Sequence, residues 1–441
     1  MKIRYRLLYA LPLLSILILD LLFSTLITGR IEMDEFGQSA PSPLDGYPPL
    51  VIAGCIPLSI LLYKYLSGIA RYVFWCALAG VGLLMADSYL NYDVPAVYPH
   101  VFQKVMVLFT LSAMYGVYRV VGRITLPDLI GMIWVAFLLN VSIINPDALS
   151  MGAFVNHERG LVASSVYLLV LPLLFHFNTY LQTLKPLHLA LFFVAAVAIL
   201  FFQHRTVWVV SIASLAINLV LLFGAARQRL NFKALLPLLG IPAVLLFLAL
   251  TTLAVSNPKI LTKIADDIAD IENHDKQGTG GWRAEQARSY WPFIEQHPVA
   301  GMRFKGFELP IQFYDPDQPT LVVFPDGHGH FLHSFYIDAL FYLGVIGLLL
   351  LSMPQLYALL QLLKRPAMDP ETLTWCIFIG TSLVYGYSYS LPPYFYGLAG
   401  FGFVRIKTLA AIAATPEAEN EGSTPLVNSH PQAEPAVHYS A

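Results

Sequence analysis

Long apolar stretches limit what this chain can fold into more than any other feature of its sequence. A helix needs about 20 mostly apolar residues to cross the hydrocarbon of a bilayer. Twelve such stretches can be placed, approximately at 7–28, 48–66, 72–91, 99–118, 125–145, 161–181, 187–203, 206–224, 234–255, 333–352, 372–390 and 393–412. Only 12% of the 441 residues are charged, against roughly 25% in a soluble domain. The sequence therefore predicts an all-α polytopic membrane protein with about 12 transmembrane helices.

The charge and cysteine content excludes several other classes of protein. The formal net charge is −2, which gives no basic footprint for a nucleic acid. Three cysteines, Cys55, Cys76 and Cys376, lie inside apolar stretches and have no metal-ligand spacing, so they are predicted to be free thiols.

The first span has a basic start but contains Asp20 and lacks a small-residue cleavage site. We therefore expect a retained helix rather than a signal peptide.

Basic residues in the short loops predict the orientation of the spans. With a cytoplasmic N-terminus, the cytoplasmic side receives fifteen Lys and Arg residues, and the short loops of the other side receive Arg30, Arg159 and Arg205. Seven more basic residues lie in one long loop, and Lys104 lies inside the fourth span. An even number of spans returns the C-terminus to the cytoplasm.

Two segments are not predicted to span the membrane. Residues 256–332 separate spans 1–9 (1–255) from spans 10–12 (333–412) as an extracytoplasmic loop of about 77 residues, far beyond the usual connection length. Within the loop, residues 259–274 and 282–297 have helical patterns, and 302–332 is predicted to be an ordered, irregular lid. Residues 413–441 are rich in Ala, Pro, Glu and Ser and are predicted to be a disordered cytoplasmic tail.

Basic residues on the extracytoplasmic side are the first candidates for chemistry. Arg205 lies in a turn of two or three residues between two spans, where a guanidinium can bind a lipid phosphate or diphosphate in a bidentate manner. An arginine that merely reaches generic headgroups is the alternative. Arg159 stands beside Glu158, so a local ion pair competes with ligand binding. Arg283 and Arg288 are five residues apart on the second loop helix, where a solvated face is the simpler interpretation.

Histidines cluster before the tenth span. His328, His330 and His333 lie within six residues beside Asp326, but the two intervening glycines and the lack of an H-E-x-x-H pattern argue against a metal site. His333 is predicted to lie in the first turn of the tenth helix, where the helix dipole disfavours an imidazolium. A neutral imidazole is suited to act as a general base. A structural histidine at the interface is the alternative.

Three ionisable residues lie inside predicted spans and must face protein or water rather than lipid. They are Asp20, Asp87 and Lys104. Asp87 and Lys104 come from adjacent antiparallel helices, so a structural ion pair between these two is the expectation.

The order of these motifs resembles the O-antigen ligase and polymerase superfamily. Gln203-His204-Arg205 is followed by GGWRAEQARSYWPFIEQHPVAG in the long loop, then by His333-Ser334 and by Leu343-Gly344-Val345-Ile346-Gly347. The superfamily pattern is an Arg, a helix ending in H-P-x-x-G, and H-N or H-S about ten residues before G-x-x-G. The resemblance covers roughly residues 150–350. The chain departs from the pattern at two positions. Ser334 stands where Asn is more frequent, and Gly301-Met302-Arg303 stands where Gly-x-Gly is more frequent.

The resemblance implies a GT-C-like glycosyltransferase of the bacterial inner membrane with a periplasmic active site. It implies transfer of a polysaccharide from undecaprenyl diphosphate to a sugar hydroxyl, without nucleotide. Arginines in place of a divalent cation are the simplest interpretation of the residues, so no metal or other cofactor is expected. By resemblance, Arg205 and Arg283 contact the diphosphate and His333 acts at the acceptor. Further substrate contacts would come from Arg159, Arg288, Arg303 and His330.

Three functions remain open from the sequence. The first is an O-antigen ligase whose acceptor is the lipid A-core oligosaccharide of lipopolysaccharide. The second is an O-antigen or exopolysaccharide polymerase of the same superfamily, whose acceptor is another lipid-linked unit. The third is a twelve-span secondary transporter, although no internal repeat is evident and the basic residues of interest lie at one interface rather than at the midplane.

Overall fold

The structure is a computed structural model and describes residues 2–29, 44, 46–150, 152, 160–223, 236–238, 240, 279–308, 332–364 and 368–414. These residues form helices and connections and contain no strand, which confirms the all-α prediction. The helices of the first half are α1 (Lys2–Leu17), α2 (Leu21–Thr28), α3 (Tyr47–Leu61), α4 (Ile69–Tyr92), α5 (Pro99–Met106), α6 (Leu108–Val121) and α7 (Leu126–Leu139). They continue with α8 (Ala163–Leu168), α9 (Val170–Thr183), α10 (Pro186–Phe201), α11 (Arg205–Phe223), α12 (Thr279–Gln296), α13 (Phe304–Glu308), α14 (Phe335–Lys364), α15 (Pro370–Gly386) and α16 (Tyr394–Ala414).

The helices agree with the predicted spans in position but not all in length. Helical segments coincide with eleven of the twelve predicted spans, and most of the twelfth, 234–255, lies outside the described residues. Six helices are long and apolar enough to cross a membrane, or eight if each of two bent pairs is counted as one span. Two more apolar helices, α3 and α10, are shorter than 18 residues. The part of the chain that the structure describes therefore supports a membrane protein with six to eight candidate spans, fewer than the twelve predicted.

The first span is not the single straight helix that was predicted. α1 and α2 meet at an angle of 105°. Asp20 caps α2 by accepting a hydrogen bond from the backbone N–H of Leu22, and its carboxylate also accepts from the hydroxyls of Ser164 and Ser165. A buried carboxylate needs such donors, and a helix N-terminus supplies one of them. Asp20 thus breaks the span and ties it to the start of α8.

The centre of the bundle is formed by α6, α15 and α16. Trp375 of α15 is fully buried and stacks edge-on against Phe401 of α16, which also contacts Tyr118 of α6. Gly400 lets α16 approach the backbone of α6 closely, because a Cβ there would meet Leu111. Small residues at such crossings are typical of membrane helices.

Polar side chains join α9, α11 and α15 in the same core. Asn218 donates to Asn178, Asn178 donates to Thr374, and Ser214 donates to Thr381, at 2.8, 3.1 and 2.9 Å. Because Ser214 faces Thr381 and Asn218 connects through Asn178 to Thr374, α11 and α15 run in opposite directions. Interhelical hydrogen bonds of this kind fix the register of apolar helices.

Residues 279–308 and 332 of the long loop are described. α12 covers most of the predicted second loop helix, 282–297, and confirms it. Residues 302–308, the start of the predicted irregular lid, include the short helix α13. The predicted first loop helix (259–274), the remainder of the lid (309–331) and nearly all of the predicted tail (415–441) lie outside the described residues.

Candidate active site

Arg205 is the first residue of α11 and follows a tight turn. Gln203 adopts a left-handed backbone with a φ of 55°, and His204 is buried. The Nε2 atom of His204 lies 2.7 Å from the carbonyl oxygen of Leu161, so this ring nitrogen carries the proton and donates. The contact ties the turn to the residues before α8. It holds a guanidinium at a helix N-terminus, where the helix dipole favours anions.

His333 lies two residues before the first residue of α14. The backbone N–H of Asp338 donates to the carbonyl of Ser334, which makes Ser334 the N-cap of the helix. The prediction that His333 lies within the first turn is therefore wrong by a short distance, because the helix begins at Phe335. His333 is half-buried in the connection that enters the helix.

The entry to α14 is attached to the end of α15. Ser390 donates to the carbonyl of Leu332 at 2.9 Å, and the Tyr336 hydroxyl donates to the carbonyl of Leu383 at 2.8 Å. Gly386 leaves space for Phe335, since a Cβ there would lie 3.2 Å from the Phe335 side chain. These contacts place His333 beside the C-terminal end of α15.

Arg205 reaches the same end of the bundle. It lies nine residues before Ser214, or about 14 Å along a helix that rises 1.5 Å per residue. Ser390 lies nine residues beyond Thr381, which pairs with Ser214. Since α11 and α15 are antiparallel, the start of α11 and the end of α15 lie at similar depth. We call this the site end of the bundle, defined by the start of α11, the start of α14 and the end of α15.

α12 contacts the entry to α14 through a buried glutamine. Gln286 is 3% exposed, and its Oε1 atom lies 3.4 Å from the backbone nitrogen of His333. One turn further along, Tyr290 is fully buried and packs edge-on against Phe341 of α14, with ring centroids 4.8 Å apart. Arg283 lies in α12, three residues before Gln286. The backbone of α12 therefore brings Arg283 to within about a turn of the residue that contacts His333.

The remaining predicted substrate contacts are not gathered at this point. Arg288 is exposed, whereas the buried face of α12 carries Gln286 and Tyr290. Arg303 pairs with Asp87 of α4. Arg159 and His330 lie outside the described residues, as does His328. Among the described residues, no group of three or more His, Cys, Asp or Glu side chains is arranged to hold a metal ion.

The predicted pair between Asp87 and Lys104 does not form. Lys104 instead binds both carboxylate oxygens of Asp338, at 2.7 and 2.8 Å, and its ammonium lies 4.4 Å from the ring centroid of Tyr342. Asp87 binds Arg303. The two actual partners, Arg303 in the long loop and Asp338 in α14, lie far along the chain from Asp87 and Lys104. That α4 and α5 are consecutive in the sequence therefore did not predict which residues pair.

Sequence reasoning missed Gln286 and the Lys104–Asp338 pair. The sequence did indicate Gln286. Arg283, Gln286 and Tyr290 are spaced by three and then four residues, so they lie on one face of a helix. The Lys104–Asp338 pair was indicated less clearly. Asp338 is the only acidic residue in the predicted span 333–352, and an acid inside a span needs a partner.

Comparison with known proteins identifies one related family. Residues 190–352 match the family described as O-antigen ligase. The matched segment contains Arg205, Arg283 and His333, together with the helix and glycine motifs between and after them. A search of curated proteins returned no match. The match over residues 190–352 thus supports the O-antigen ligase superfamily, the family that the sequence motifs of this membrane protein resemble.

Proposed function

We propose that this protein is a glycosyltransferase that moves O-antigen polysaccharide from undecaprenyl diphosphate to a sugar hydroxyl of the lipid A-core oligosaccharide. The proposal includes a location in the bacterial inner membrane, with both termini cytoplasmic and the site end of the bundle facing the periplasm. The observation that carries it is the convergence of three separated segments of the O-antigen ligase domain. The start of α11 lies at the depth of the end of α15, the entry to α14 is hydrogen-bonded to the end of α15, and α12 contacts the entry to α14.

The chemistry needs little from the enzyme beyond charge stabilisation and one proton transfer. The bond between the anomeric carbon and the diphosphate oxygen breaks, and its electron pair stays on the diphosphate. The acceptor oxygen forms the new bond to the anomeric carbon, and its proton passes to the imidazole of His333. A glycosyl diphosphate carries its own leaving group, so no nucleotide is required.

Arg205 and Arg283 are the proposed diphosphate ligands. Guanidinium groups bind phosphate oxygens through paired hydrogen bonds, and they stabilise the negative charge that develops on a leaving group. The position of Arg205 at the N-terminus of α11 supports this role, because the helix dipole favours an anion at the same place. Together these charges would perform the task that a divalent cation performs in other enzymes, so we propose a metal-independent reaction.

His333 is the proposed general base. Its backbone is fixed by Gln286 on one side and by the attachment of Leu332 and Tyr336 to α15 on the other. A base must approach within hydrogen-bond reach of the hydroxyl it deprotonates. In the proposed reaction the imidazole of His333 lies near the carbon that the acceptor attacks, with the diphosphate bound by Arg205 and Arg283.

The experiment is a transfer assay with purified protein in lipid nanodiscs. Lipid-linked glycan is supplied as donor, and either lipid A-core or a second lipid-linked repeat unit as acceptor. We expect product on lipid A-core without added nucleotide. Product only on the lipid-linked acceptor identifies the polymerase, the alternative within the same superfamily. Transfer to neither acceptor contradicts the proposal and returns attention to transport.

A further inference from the structure

We propose that residues 297–303 and the break of α14 at Gly344 form a backbone clasp that positions His333, with Gln286 as the positioning residue. This inference rests on the proposed function, because the role of His333 belongs to it. The clasp itself is defined by residues 297–303 and 341–347, the two segments that carry the H-P-x-x-G and G-x-x-G motifs.

Gly344 interrupts the hydrogen bonding of α14. Its backbone has a φ of 65° and a ψ of −164°, which is not helical. In a continuous helix the N–H groups of Val345 and Ile346 would donate to the carbonyls of Phe341 and Tyr342. The break removes both bonds in the middle of a predicted membrane span. Backbone groups left unpaired there would be costly, because lipid offers no replacement partner.

The loop after α12 supplies the missing partners. Val345 donates to the carbonyl of Pro298 and Ile346 donates to that of Val299, at 2.8 and 3.2 Å. In return, the carbonyls that lost their helical donors accept from the N–H groups of residues 302 and 303 at 2.7 and 2.9 Å. Four bonds between the two segments thus replace two bonds within the helix.

The glycines are required by the close approach of the two backbones. A Cβ on Gly301 would lie 2.5 Å from the backbone nitrogen of Leu343, and a Cβ on Gly344 would lie 2.6 Å from that of Ala300. Both glycines also have a φ of 65°, which L side chains rarely adopt. Gly347 serves the same junction, because a Cβ there would collide with the Leu343 side chain. The spacing of both motifs follows from this contact.

The clasp lies at one end of a longer attachment between α12 and the outer part of α14. Gln286 contacts His333, Tyr290 packs on Phe341, and the loop that follows α12 binds at residues 341–346. The contacts advance in the same direction along both helices. α12 is therefore attached, from its middle at Gln286 to the loop after its C-terminal end, to the segment that begins with His333.

Charged and polar contacts fix the same unit to its neighbours. Arg303 pairs with Asp87 of α4, and Lys104 of α5 pairs with Asp338 in the first turn of α14. Glu308, at the end of α13, accepts hydrogen bonds from the hydroxyls of two tyrosines near the end of α4 and the start of α5. The unit that carries His333 thus has few ways to shift relative to the membrane helices. Gln286 contacts the His333 backbone from outside the histidine's own segment.

The first experiment measures the clasp without reference to activity. Hydrogen exchange is followed by mass spectrometry for the wild type, Gly344→Ala and Gly68→Ala in lipid nanodiscs. Gly68 is the matched control, because its φ is +55° but no atom lies within 4 Å of its missing Cβ. We expect peptides covering 302–303 and 345–346 to be protected in the wild type and in Gly68→Ala, and to exchange at least about tenfold faster in Gly344→Ala. Unchanged exchange in α16 reports that the bundle is folded. Protection that survives Gly344→Ala would overturn the clasp.

The second experiment tests positioning through kinetics and remains informative if Gly344→Ala does not fold. Gln286→Met removes the acceptor oxygen at similar size, whereas Gln286→Glu keeps an oxygen in that place. We expect Gln286→Met to lower kcat about tenfold with the donor KM within about twofold, since small misplacements of reacting groups cost rate. Gln286→Glu should restore most of kcat.

The outcomes separate this inference from the proposed function. A Gln286→Met variant with normal kcat but a raised donor KM would make Gln286 a donor ligand and overturn its positioning role. A folded Gly344→Ala variant that has lost hydrogen-exchange protection at 302–303 and 345–346 but transfers glycan at the normal rate would show that the clasp does not position His333. If the wild type transfers glycan to neither acceptor, the proposed function fails and the positioning role fails with it. The exchange result still decides whether the clasp exists.

Discussion

At the scale of single residues, the chemistry of the proposed donor site depends on the shape of a guanidinium as well as on its charge. We expect Arg205→Lys to lower transfer at least about tenfold, because an ammonium cannot reproduce the paired contacts of a guanidinium with a diphosphate. The initial rate of transfer in nanodiscs measures this. Arg119→Lys is the control, since Arg119 is exposed in the last turn of α6. A normal rate for Arg205→Lys would make Arg205 a headgroup anchor only.

The role of His333 makes a second prediction at this scale. We expect His333→Ala to lower turnover about 10²- to 10⁴-fold, the usual contribution of a general base, while donor binding stays close to normal because the arginines hold the diphosphate. Single-turnover rates and donor binding are measured separately on the same preparation. Near-normal turnover with weak donor binding would instead identify His333 as a diphosphate ligand.

Glu308 is a poor substitute for His333 as the base. Its carboxylate accepts from the hydroxyls of Tyr92 and Tyr98, at 3.1 and 2.9 Å. The hydrogen bond to Glu308 raises the pKa of Tyr98, so the phenol stays protonated and continues to donate. If His333 is not the base, Asp326 is therefore the first acid to test.

At the scale of helices, one ion pair crosses from α5 to α14. The side chains of Lys104 and Asp338 are 22% and 17% exposed, so removing either partner leaves a largely buried charge. We expect Lys104→Met to lower the free energy of unfolding by about 2 to 3 kcal/mol, somewhat less than for a fully buried pair. Denaturant unfolding in detergent measures the change.

The double variant Lys104→Met/Asp338→Leu is the control for this pair. Replacing both charges by apolar residues of similar size often restores stability, so we expect most of the loss to be recovered. A double variant as unstable as the single one would show that Lys104 acts through its contact with the Tyr342 ring rather than through the carboxylate.

At the scale of the whole molecule, the proposed reaction depends on arginines rather than on a divalent cation. We expect transfer to continue at an unchanged rate after dialysis against EDTA, and added Mg²⁺, Mn²⁺ or Ca²⁺ to have less than about a twofold effect, because guanidinium groups already supply the positive charge at the leaving group. The transfer assay with each ion in turn measures this. Loss of activity in EDTA with recovery by one particular ion would make the histidines at 328, 330 and 333 a metal site.

The sequence alone determined the properties that depend on local composition and period. Apolar stretches of bilayer length predicted helices that coincide with eleven of the twelve proposed spans. The helical pattern of 282–297 predicted α12, and the order of short motifs predicted the family whose description matches residues 190–352. These predictions succeeded because a backbone surrounded by lipid has few alternatives to a helix. Arg205, Arg283 and His333 could likewise be singled out as unusual residues on one predicted side.

Only the tertiary structure decided which distant side chains pair and where the helices are interrupted. The angle of 105° at Asp20 depends on hydroxyls from α8, and the ion pairs of Asp87 and Lys104 depend on residues more than 200 positions away. The break at Gly344 is tolerated because a loop about 45 residues earlier in the chain supplies four backbone hydrogen bonds. Backbone bonds carry no side-chain signature beyond the glycines that permit the approach. The local sequence pattern therefore determines where the helices form. Long-range hydrogen bonds and ion pairs determine how these helices are broken and joined around the candidate site.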